Sequence, residues 1–527
     1  MEPWPHPGAA RADAAPGEVL GFLESGGLPG GGRVRRIDTH AAHVLLAGER
    51  AWKLKRPIDL GYLDFSTPER RRAALAAELS LNRRTAPGLY LGLHPVTRGA
   101  DGALMIGGAG EPVDWLLEML RFPDDALLDQ RARRGLIDAA LMGRLAERLH
   151  AFHADAEVAL TPGGAERIGA VIAGNAASFA ACAGAFDPGA VADLLDRQRA
   201  QLARHAALLD ARAAAGRVRH CHGDLHLANI ALIDGEPVPF DCLEFDEALA
   251  TTDILYDLAF ALMDLWHRGL HAEANALFNR YLDLSALDED GVAAMPLFLS
   301  IRAAVRAHVA AARAAGGGGA AALAEARDYL RLARELLDPV PPLLVAIGGR
   351  SGTGKSTLAR AIGGSIGIAP GARVLRSDVL RKRLAGLAPE IRMAGEAYSP
   401  EAGARVYAAL EVAAGAALAA GSSAIADAAF LKPGERDAVR AAAEAAGACF
   451  AGLWLEAGIG TRLARVAARS GDASDADGRV VRMQARQATG PVRGWIRLAA
   501  GGPVAQIAAA ALRRIARIAP ASLGRSG

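Results

Sequence analysis

Apolar positions along this chain change period from one region to the next, and the changes divide it. Around residues 43–55 they come in short runs. His43-Val44-Leu45-Leu46 and Arg50-Ala51-Trp52-Lys53-Leu54-Lys55 read as two strands joined at Ala47-Gly48-Glu49. Thr67-Pro68-Glu69 opens a helix that runs to about Arg84, and Trp115–Phe122 is strand-like again. Residues 126–216 are Ala/Leu/Arg-rich amphipathic stretches, a helical lobe with turns at Gly163-Gly164 and Asp187-Pro188-Gly189. From Leu343 short apolar runs return. Leu343–Ile347, Val374–Asp378, Gly421–Asp427 and Cys449–Glu456 are separated by helical segments, the signature of a parallel sheet flanked by helices. Between the two regions lie Gly316–Gly319, a helix from about Ala320 to Leu337, and the stiff Asp338-Pro339-Val340-Pro341-Pro342. The layout expected is a partly disordered segment at 1–34, with residues 1 to about 16 rich in Pro, Ala and Gly. A first domain comes next at 35–311, then a linker with a helix at 312–341 and an α/β domain at 342–527.

Composition adds little to this. The chain has 527 residues, 51% hydrophobic and 22% charged, with net charge +2, so it is globular and carries no general attraction for nucleic acid or membrane. Its four cysteines have no metal-ligand spacing, and no signal peptide or transmembrane segment is read, so a cytoplasmic protein without a membrane partner is expected. One bias matters. Lysine and arginine total 60, but only five are lysines: Lys53, Lys55, Lys355, Lys382 and Lys432. A compact ammonium is kept where an arginine fork does not serve.

Chemistry is densest directly after the run Leu343–Ile347. Gly349-Arg350-Ser351-Gly352-Thr353-Gly354-Lys355-Ser356 fits G-x-x-x-x-G-K-[ST], between a strand and a helix. Gly349, Gly352 and Gly354 let backbone N–H groups turn toward phosphate oxygens. Lys355 reaches the β- and γ-phosphates and the Ser356 hydroxyl can ligate Mg²⁺, so residues 349–357, Ser351, Thr353 and Thr357 among them, form a nucleotide loop.

A second constellation is His222-Gly223-Asp224 followed by Asn229, and then Asp241. The spacing from Asp224 to Asn229 equals that of the protein-kinase catalytic loop, and Asp241 stands where a metal-binding acid follows it. Asp224 would orient or deprotonate an attacking hydroxyl, and Asn229 and Asp241 would hold the metal. Lys53 or Lys55 on the early strand, with Glu78 on the next helix, would clamp ATP. Both lysines lie on one face, so periodicity does not choose between them. Asp253 and Asp257 read as bracing residues.

Residues 35–310 resemble the aminoglycoside phosphotransferase family of kinase-like enzymes, on the strength of HGDLHLANI and PFDCLEFD. The resemblance implies a small β lobe and a helical lobe, with Asp224 as catalytic base, Asn229 and Asp241 on Mg²⁺, and Lys53 or Lys55 with Glu78 on ATP. The chain departs from the kinase pattern in having only Gly48 between its first strands.

In the α/β region Asp378 ends a strand, with Arg381 one helical turn on; they read as a base and a substrate anchor. Asp427, at another strand end, reads as a metal acid. Arg462, Arg465 and Arg469 line a helix ahead of Gly471-Asp472-Ala473-Ser474-Asp475, with Arg465 and Arg469 expected on the nucleotide. GGRSGTGKST, RSDVLR and IADAAF resemble the small P-loop kinases of the gluconate kinase and polynucleotide kinase type. The two-part order resembles bacterial bifunctional aminoglycoside phosphotransferase/ATP-binding proteins. Together these features predict an ATP- and Mg²⁺-dependent kinase with two nucleotide domains and a small-molecule hydroxyl acceptor. Two alternatives stay open: one domain senses ATP to regulate the other, or the P-loop half is a nucleic-acid end kinase. No nucleic-acid partner is expected, since no basic, aromatic-interleaved tract is present.

Overall fold

The short strands of the first region close into a six-stranded antiparallel sheet. The structure, a computed structural model, describes residues 14–30, 33–39, 41–59, 64–159, 163–393, 395–469 and 473–523. Residues 1–13 and the pair Gly471-Asp472 lie outside it. The chain divides into two compact units. One comprises Met1–Leu136, Asp155–Glu157 and His220–Thr252, and the other Ile137–Ala154, Val158–Arg219 and Asp253–Gly527.

In the first unit, helix α1 (Ala14–Phe22) precedes strands β1 (Arg35–Asp38), β2 (Ala42–Ala47) and β3 (Arg50–Lys55). Helix α2 (Pro68–Arg83), β4 (Tyr90–Arg98), β5 (Leu104–Ile106) and β6 (Glu111–Leu120) come next, and the sheet order is β1-β2-β3-β6-β4-β5. The expectation of disorder up to about residue 16 is corrected at its end, because the chain is helical from Ala14. Val19, Leu23 and Leu28 are buried with Leu45, Trp52, Leu54 and Leu116 on one face of the sheet, and that burial orders the segment. The two-residue period of β3 sends Lys53 and Lys55 to the opposite face, where Leu75 of α2 packs with Tyr90 and Leu117. Thr67 caps α2 by accepting from the Arg70 N–H, with Pro68 in the first turn, as the sequence implies. Farther along, a hairpin of β7 (Ile230–Ile233) and β8 (Glu236–Pro239) separates the Asp224 loop from Asp241.

The second unit begins with helices α3 (Ala139–Asp155), α4 (Gly164–Ala181) and α5 (Pro188–Ala214). It continues with α6 (Ile254–His267), α7 (His271–Leu284), α8 (Met295–Arg313) and α9 (Gly319–Glu335). Helix α9, which sequence places in the linker, buries Ala326, Tyr329, Leu330 and Ala333, and the Ala333 carbonyl accepts from Ser300 of α8. Asp253 caps α6 by accepting from the Leu255 N–H and also holds the buried Arg212, while Asp257 pairs with His153.

The same unit contains a five-stranded parallel sheet. Its elements are β9 (Leu343–Gly348), α10 (Lys355–Gly363), β10 (Arg373–Arg376), α11 (Ser377–Leu384), α12 (Pro400–Ala419), β11 (Ala424–Asp427), α13 (Pro433–Ala445), β12 (Cys449–Glu456), α14 (Ile459–Ala467), α15 (Gly478–Arg486), β13 (Trp495–Ala499) and α16 (Val504–Ile515). The order is β10-β11-β9-β12-β13, so β9, with all six residues buried, is central. Leu358 and Ile362 of α10 and Ala511 and Ile515 of α16 cover one face; Leu410 of α12 and Val439 of α13 cover the other. Two stretches, 286–335 and 400–419, contain windows long and apolar enough to cross a bilayer; the first is mostly buried within the protein, as core helices are.

Candidate active sites

In the first unit, β3 and α2 bring a lysine and a glutamate together beneath the loop that carries the acids. Lys53 Nζ lies 2.6 Å from Glu78 Oε1 and 2.7 Å from Asp241 Oδ1. Lys55, two residues on and on the same face, lies 2.8 Å from Glu78 Oε2 and 2.6 Å from Glu244 Oε1. Glu78 is fully buried and receives both ammonium groups, which is how a carboxylate survives burial. The two lysines differ in access. Lys55 is 2% exposed and lies over the Phe65 ring, whereas Lys53 is 13% exposed and its partner Asp241 is 42% exposed.

Electrostatics follow the geometry. Burial alone would lower the Lys53 ammonium, but Asp241, Glu78 and Glu244 outweigh it and hold the group well above the ordinary lysine range. Burial would raise Asp241, yet Lys53 and Lys55 hold its carboxyl below the usual range. The Asp241 backbone has a left-handed φ of 61°, and its N–H donates to the Tyr90 hydroxyl at 3.1 Å. The next N–H, of Cys242, donates to Asn82 Oδ1 at 2.9 Å. Asn82 lies one turn beyond Glu78 on α2, and Tyr90 opens β4, so the acid segment is tied to the framework that holds the lysine's partner.

Asp224 and Asn229 face each other across their loop. Asn229 Nδ2 donates to the Asp224 carbonyl at 3.0 Å and to Asp224 Oδ2 at 2.9 Å, and His226 Nε2 lies 3.4 Å from the same oxygen. Gly223 has φ +83°, and a Cβ there would stand 2.8 Å from Leu243 Cβ, so the tight loop requires glycine. Asp224 is near enough to Asp241 to oppose its ionisation. Carboxylate and carboxamide oxygens are the hard donors that Mg²⁺ takes, and a cation, the Lys53 ammonium, already rests on Asp241; the residues fit the metal. Sequence spacing brought out Asp224, Asn229, Asp241, Lys53 and Glu78. It missed Tyr90, Asn82 and Glu244, although Glu244, three residues beyond Asp241, is the second acid of the DCLE run.

In the second unit the nucleotide loop spans the end of β9 and the start of α10. Gly349, Gly352 and Gly354 have φ of +140°, +82° and +93°. A Cβ on Gly352 would meet the Arg462 carbonyl at 2.6 Å, and one on Gly349 the Leu455 carbonyl at 2.7 Å. The loop is fastened from outside: the Ser351 N–H donates to Gln484 Oε1 at 2.7 Å, and Arg465 donates to the Thr353 carbonyl at 3.2 Å. Thr353 Oγ1 donates to the Arg350 carbonyl, while Thr357 is exposed. Burial lowers the Lys355 ammonium, partly offset by the charges of Asp427 and Asp378. Asp427 ends β11 and is buried, with Arg376 Nε 3.6 Å from Oδ2. Its carboxylate and the Ser356 hydroxyl are again oxygen donors suited to Mg²⁺.

Asp378, expected to end a strand, lies instead in the first turn of α11, because β10 stops at Arg376; burial raises its carboxyl, opposed by a Ser474 hydrogen bond and by Arg376. Arg381 donates to the Ala397 carbonyl at 2.7 Å, with its guanidinium carbon 4.7 Å from the Tyr398 ring centre. The expectation that Arg462, Arg465 and Arg469 line one helix needs correction: Arg469 lies past the end of α14, and Arg462 is buried against the loop at Gly352. Lys382, fully buried, was not singled out as a site residue; it pairs with Asp475 at 3.3 Å, and Asp475 also accepts from the Tyr398 hydroxyl at 2.6 Å.

Residues 344–491 match the family model for an AAA domain (AAA_33). The Mycobacterium tuberculosis protein Rv2004c is 32% identical over 351 residues, covering 66% of this chain and 68% of that protein. Among solved structures, a choline/ethanolamine kinase family protein from Mesorhizobium loti aligns over 62% of this chain and 95% of its own, with 15% identity and a TM-score of 0.38. A gluconokinase from Sinorhizobium meliloti aligns over 35% and 96%, with 23% identity and a TM-score of 0.25. The chain belongs to the same family as the mycobacterial protein, and its residues 344–491 match the AAA domain model.

Proposed function

We propose that this protein is an ATP-dependent phosphotransferase with two nucleotide sites, each moving the γ-phosphoryl group to a hydroxyl of a small molecule. The observation that carries the reading is Lys53, held jointly by Glu78 and Asp241 beside the Asp224–Asn229 pair. A buried ammonium between two acids is a pre-set phosphate ligand, and phosphoryl transfer asks of a protein mainly position and charge. In the first site Asp224 accepts the proton of the acceptor hydroxyl as its oxygen bonds to the γ-phosphorus. The bond to the bridging oxygen breaks and ADP leaves. Asn229 and Asp241 would hold Mg²⁺, which when bound neutralises phosphate charge. In the P-loop site the N–H groups of residues 349–356 and Lys355 bind the phosphates, with Arg465 and Arg469 closing on them. Ser356 and Asp427 would hold the metal, Asp378 takes the hydroxyl proton, and Arg381 anchors an acidic group of the acceptor.

The test is a panel of hydroxylated small molecules screened for ADP release, with calorimetric Mg·ATP titration in a Lys355→Ala background to isolate the first site. Asp224→Asn should cut turnover by about 10²–10⁴-fold with ATP affinity kept. Asp241→Asn should weaken Mg·ATP binding itself. Mild and equal effects from both would make the loop structural.

A further inference from the structure

Strand β10 is the edge of the parallel sheet, and an edge strand has one row of unpaired N–H and C=O groups. Inward, β10 pairs with β11 from Arg373↔Ala424 to Arg376↔Asp427. Outward, no strand among the described residues lies against it. Its outer row meets the side-chain amides of helix α7. Asn279 Oδ1 accepts from the Val374 N–H at 2.7 Å, and Asn279 Nδ2 donates to the Ala372 carbonyl at 3.1 Å. A carboxamide has the donor and acceptor pair of a peptide group, so Asn279 completes the edge as one residue of a neighbouring strand would. Its orientation is forced, because Oδ1 also accepts from Arg373 Nη1 at 2.9 Å. One turn earlier, Asn275 Nδ2 donates to the carbonyls of Pro370 at 3.0 Å and Ala372 at 2.9 Å.

Charge reinforces the amides on the same side of the strand. Arg373 is 2% exposed, with Asp283 at 2.8 Å and Glu289 at 2.7 Å. Arg383, on the helix after the strand, lies 3.2 Å from Glu289 and donates to the Leu282 carbonyl at 2.7 Å. Glycines make the approach possible. A Cβ on Gly363 would stand 2.2 Å from Asn275 Oδ1, one on Gly364 2.4 Å from the His271 carbonyl, and one on Gly371 2.8 Å from Asn275 Nδ2. Asp378 lies between the two clamped arginines, two residues beyond the end of β10.

We propose that Asn279 is a positioning residue for the P-loop site: through β10 it sets the first turn of α11 and hence the place of Asp378. Arg373 and Glu289 hold the clamp shut. The role rests on the reading of Asp378 as the base of that site. An acid that must meet a hydroxyl is sensitive to sub-ångström displacement, and an unbraced edge strand supplies that freedom.

The test is hydrogen exchange on the full chain, with wild type, Asn279→Ala and Asn279→Asp. Asp keeps the acceptor for Val374 and Arg373 and loses only the donor. Asn279→Ala should speed exchange at least about tenfold at Val374 and also across residues 377–381, with β9 and β11 unchanged; Asn279→Asp should restore most of the protection. A change confined to Val374 overturns the proposal, because the edge is then lost without reaching Asp378. Equal acceleration in β9 and β11 also overturns it, as general loosening. In an Asp224→Asn background, ADP release should fall about tenfold in kcat with KM for ATP kept. Should that background show no Lys355-dependent ADP release, the phosphotransfer reading of this half fails, and the exchange pattern still decides the clamp.

Discussion

Two lysines share one buried glutamate, and under the proposed function their difference decides which would serve the nucleotide. Lys55 is enclosed between Glu78, Glu244 and the Phe65 ring, so it neutralises the buried Glu78 and the partly covered Glu244. Lys53 meets the half-open Asp241, from which a phosphate can draw it. Arginine is longer and planar, and neither slot is shaped for a fork. Lys53→Arg should therefore abolish Mg·ATP binding at the first site with little change in melting temperature. Lys55→Arg should lower stability by about 1–3 kcal/mol through overpacking, and should leave binding intact in whatever stays folded. Melting curves with and without Mg·ATP, in a Lys355→Ala background, read both at once. Loss of binding from Lys55→Arg alone, with Lys53→Arg neutral, would exchange the two roles. Scarcity of lysine pointed to both residues, because chemistry leaves a compositional trace. Burial leaves none within a two-residue period, so their separation needed the structure.

At the scale of elements, the nucleotide loop is a strand, a turn and a helix held against a second helix. Gly352 and Gly354 both have left-handed backbone, but their surroundings differ. A Cβ on Gly352 runs into the Arg462 backbone at 2.6 Å, whereas one on Gly354 meets only the end of the Arg465 side chain at 3.5 Å. Gly354→Ala should cost backbone strain of about 1–2 kcal/mol and weaken nucleotide binding partly. Gly352→Ala must also push α14 off the loop, and should lose binding altogether; titration with ADP at matched folded fractions ranks them, and the reverse order would mean that α14 does not brace the loop. The loop and the strands around it were legible, because buried parallel strands read as apolar runs and G-x-x-x-x-G-K-[ST] is local. The H-G-D-x-x-x-x-N loop was legible for the same reason. Asn279 was not: an asparagine inside a helix has no periodic signature, and its partner Val374 is 95 positions away. Lys382 and Asp475, 93 apart, escape in the same way. Helix α1 was hidden by its own Pro/Ala/Gly composition, since its order comes from the sheet it covers.

At the scale of the whole molecule, the P-loop region is not closed on itself. The apparent joint at residues 338–342 suggests a cut, yet Arg373, on the far side of that cut, is buried among Asp283, Glu289 and Asn279 on the near side. A chain of residues 340–527 would leave that guanidinium without acids, the β10 edge unpaired, and the recess at Gly363, Gly364 and Gly371 open. The complementary chain of residues 1–339 would leave Asp283 and Glu289 facing no cation. Separating a buried charge set of this kind costs about 3–5 kcal/mol, a large part of the stability of one domain. Expressed alone, residues 340–527 should therefore be poorly soluble or melt far below the full chain. Expressed together with residues 1–339, they should co-purify as a stable pair, and Arg373→Ala should weaken that pair by a similar ~3–5 kcal/mol in a denaturant titration. Asp283→Asn paired with Glu289→Gln should weaken it comparably, since the acids and the arginine form one unit and their losses do not add. A fragment of residues 340–527 that is monomeric and melts cooperatively at the temperature of the full chain would show that the clamp carries no stability, and that the linker at 338–342 is a true domain boundary.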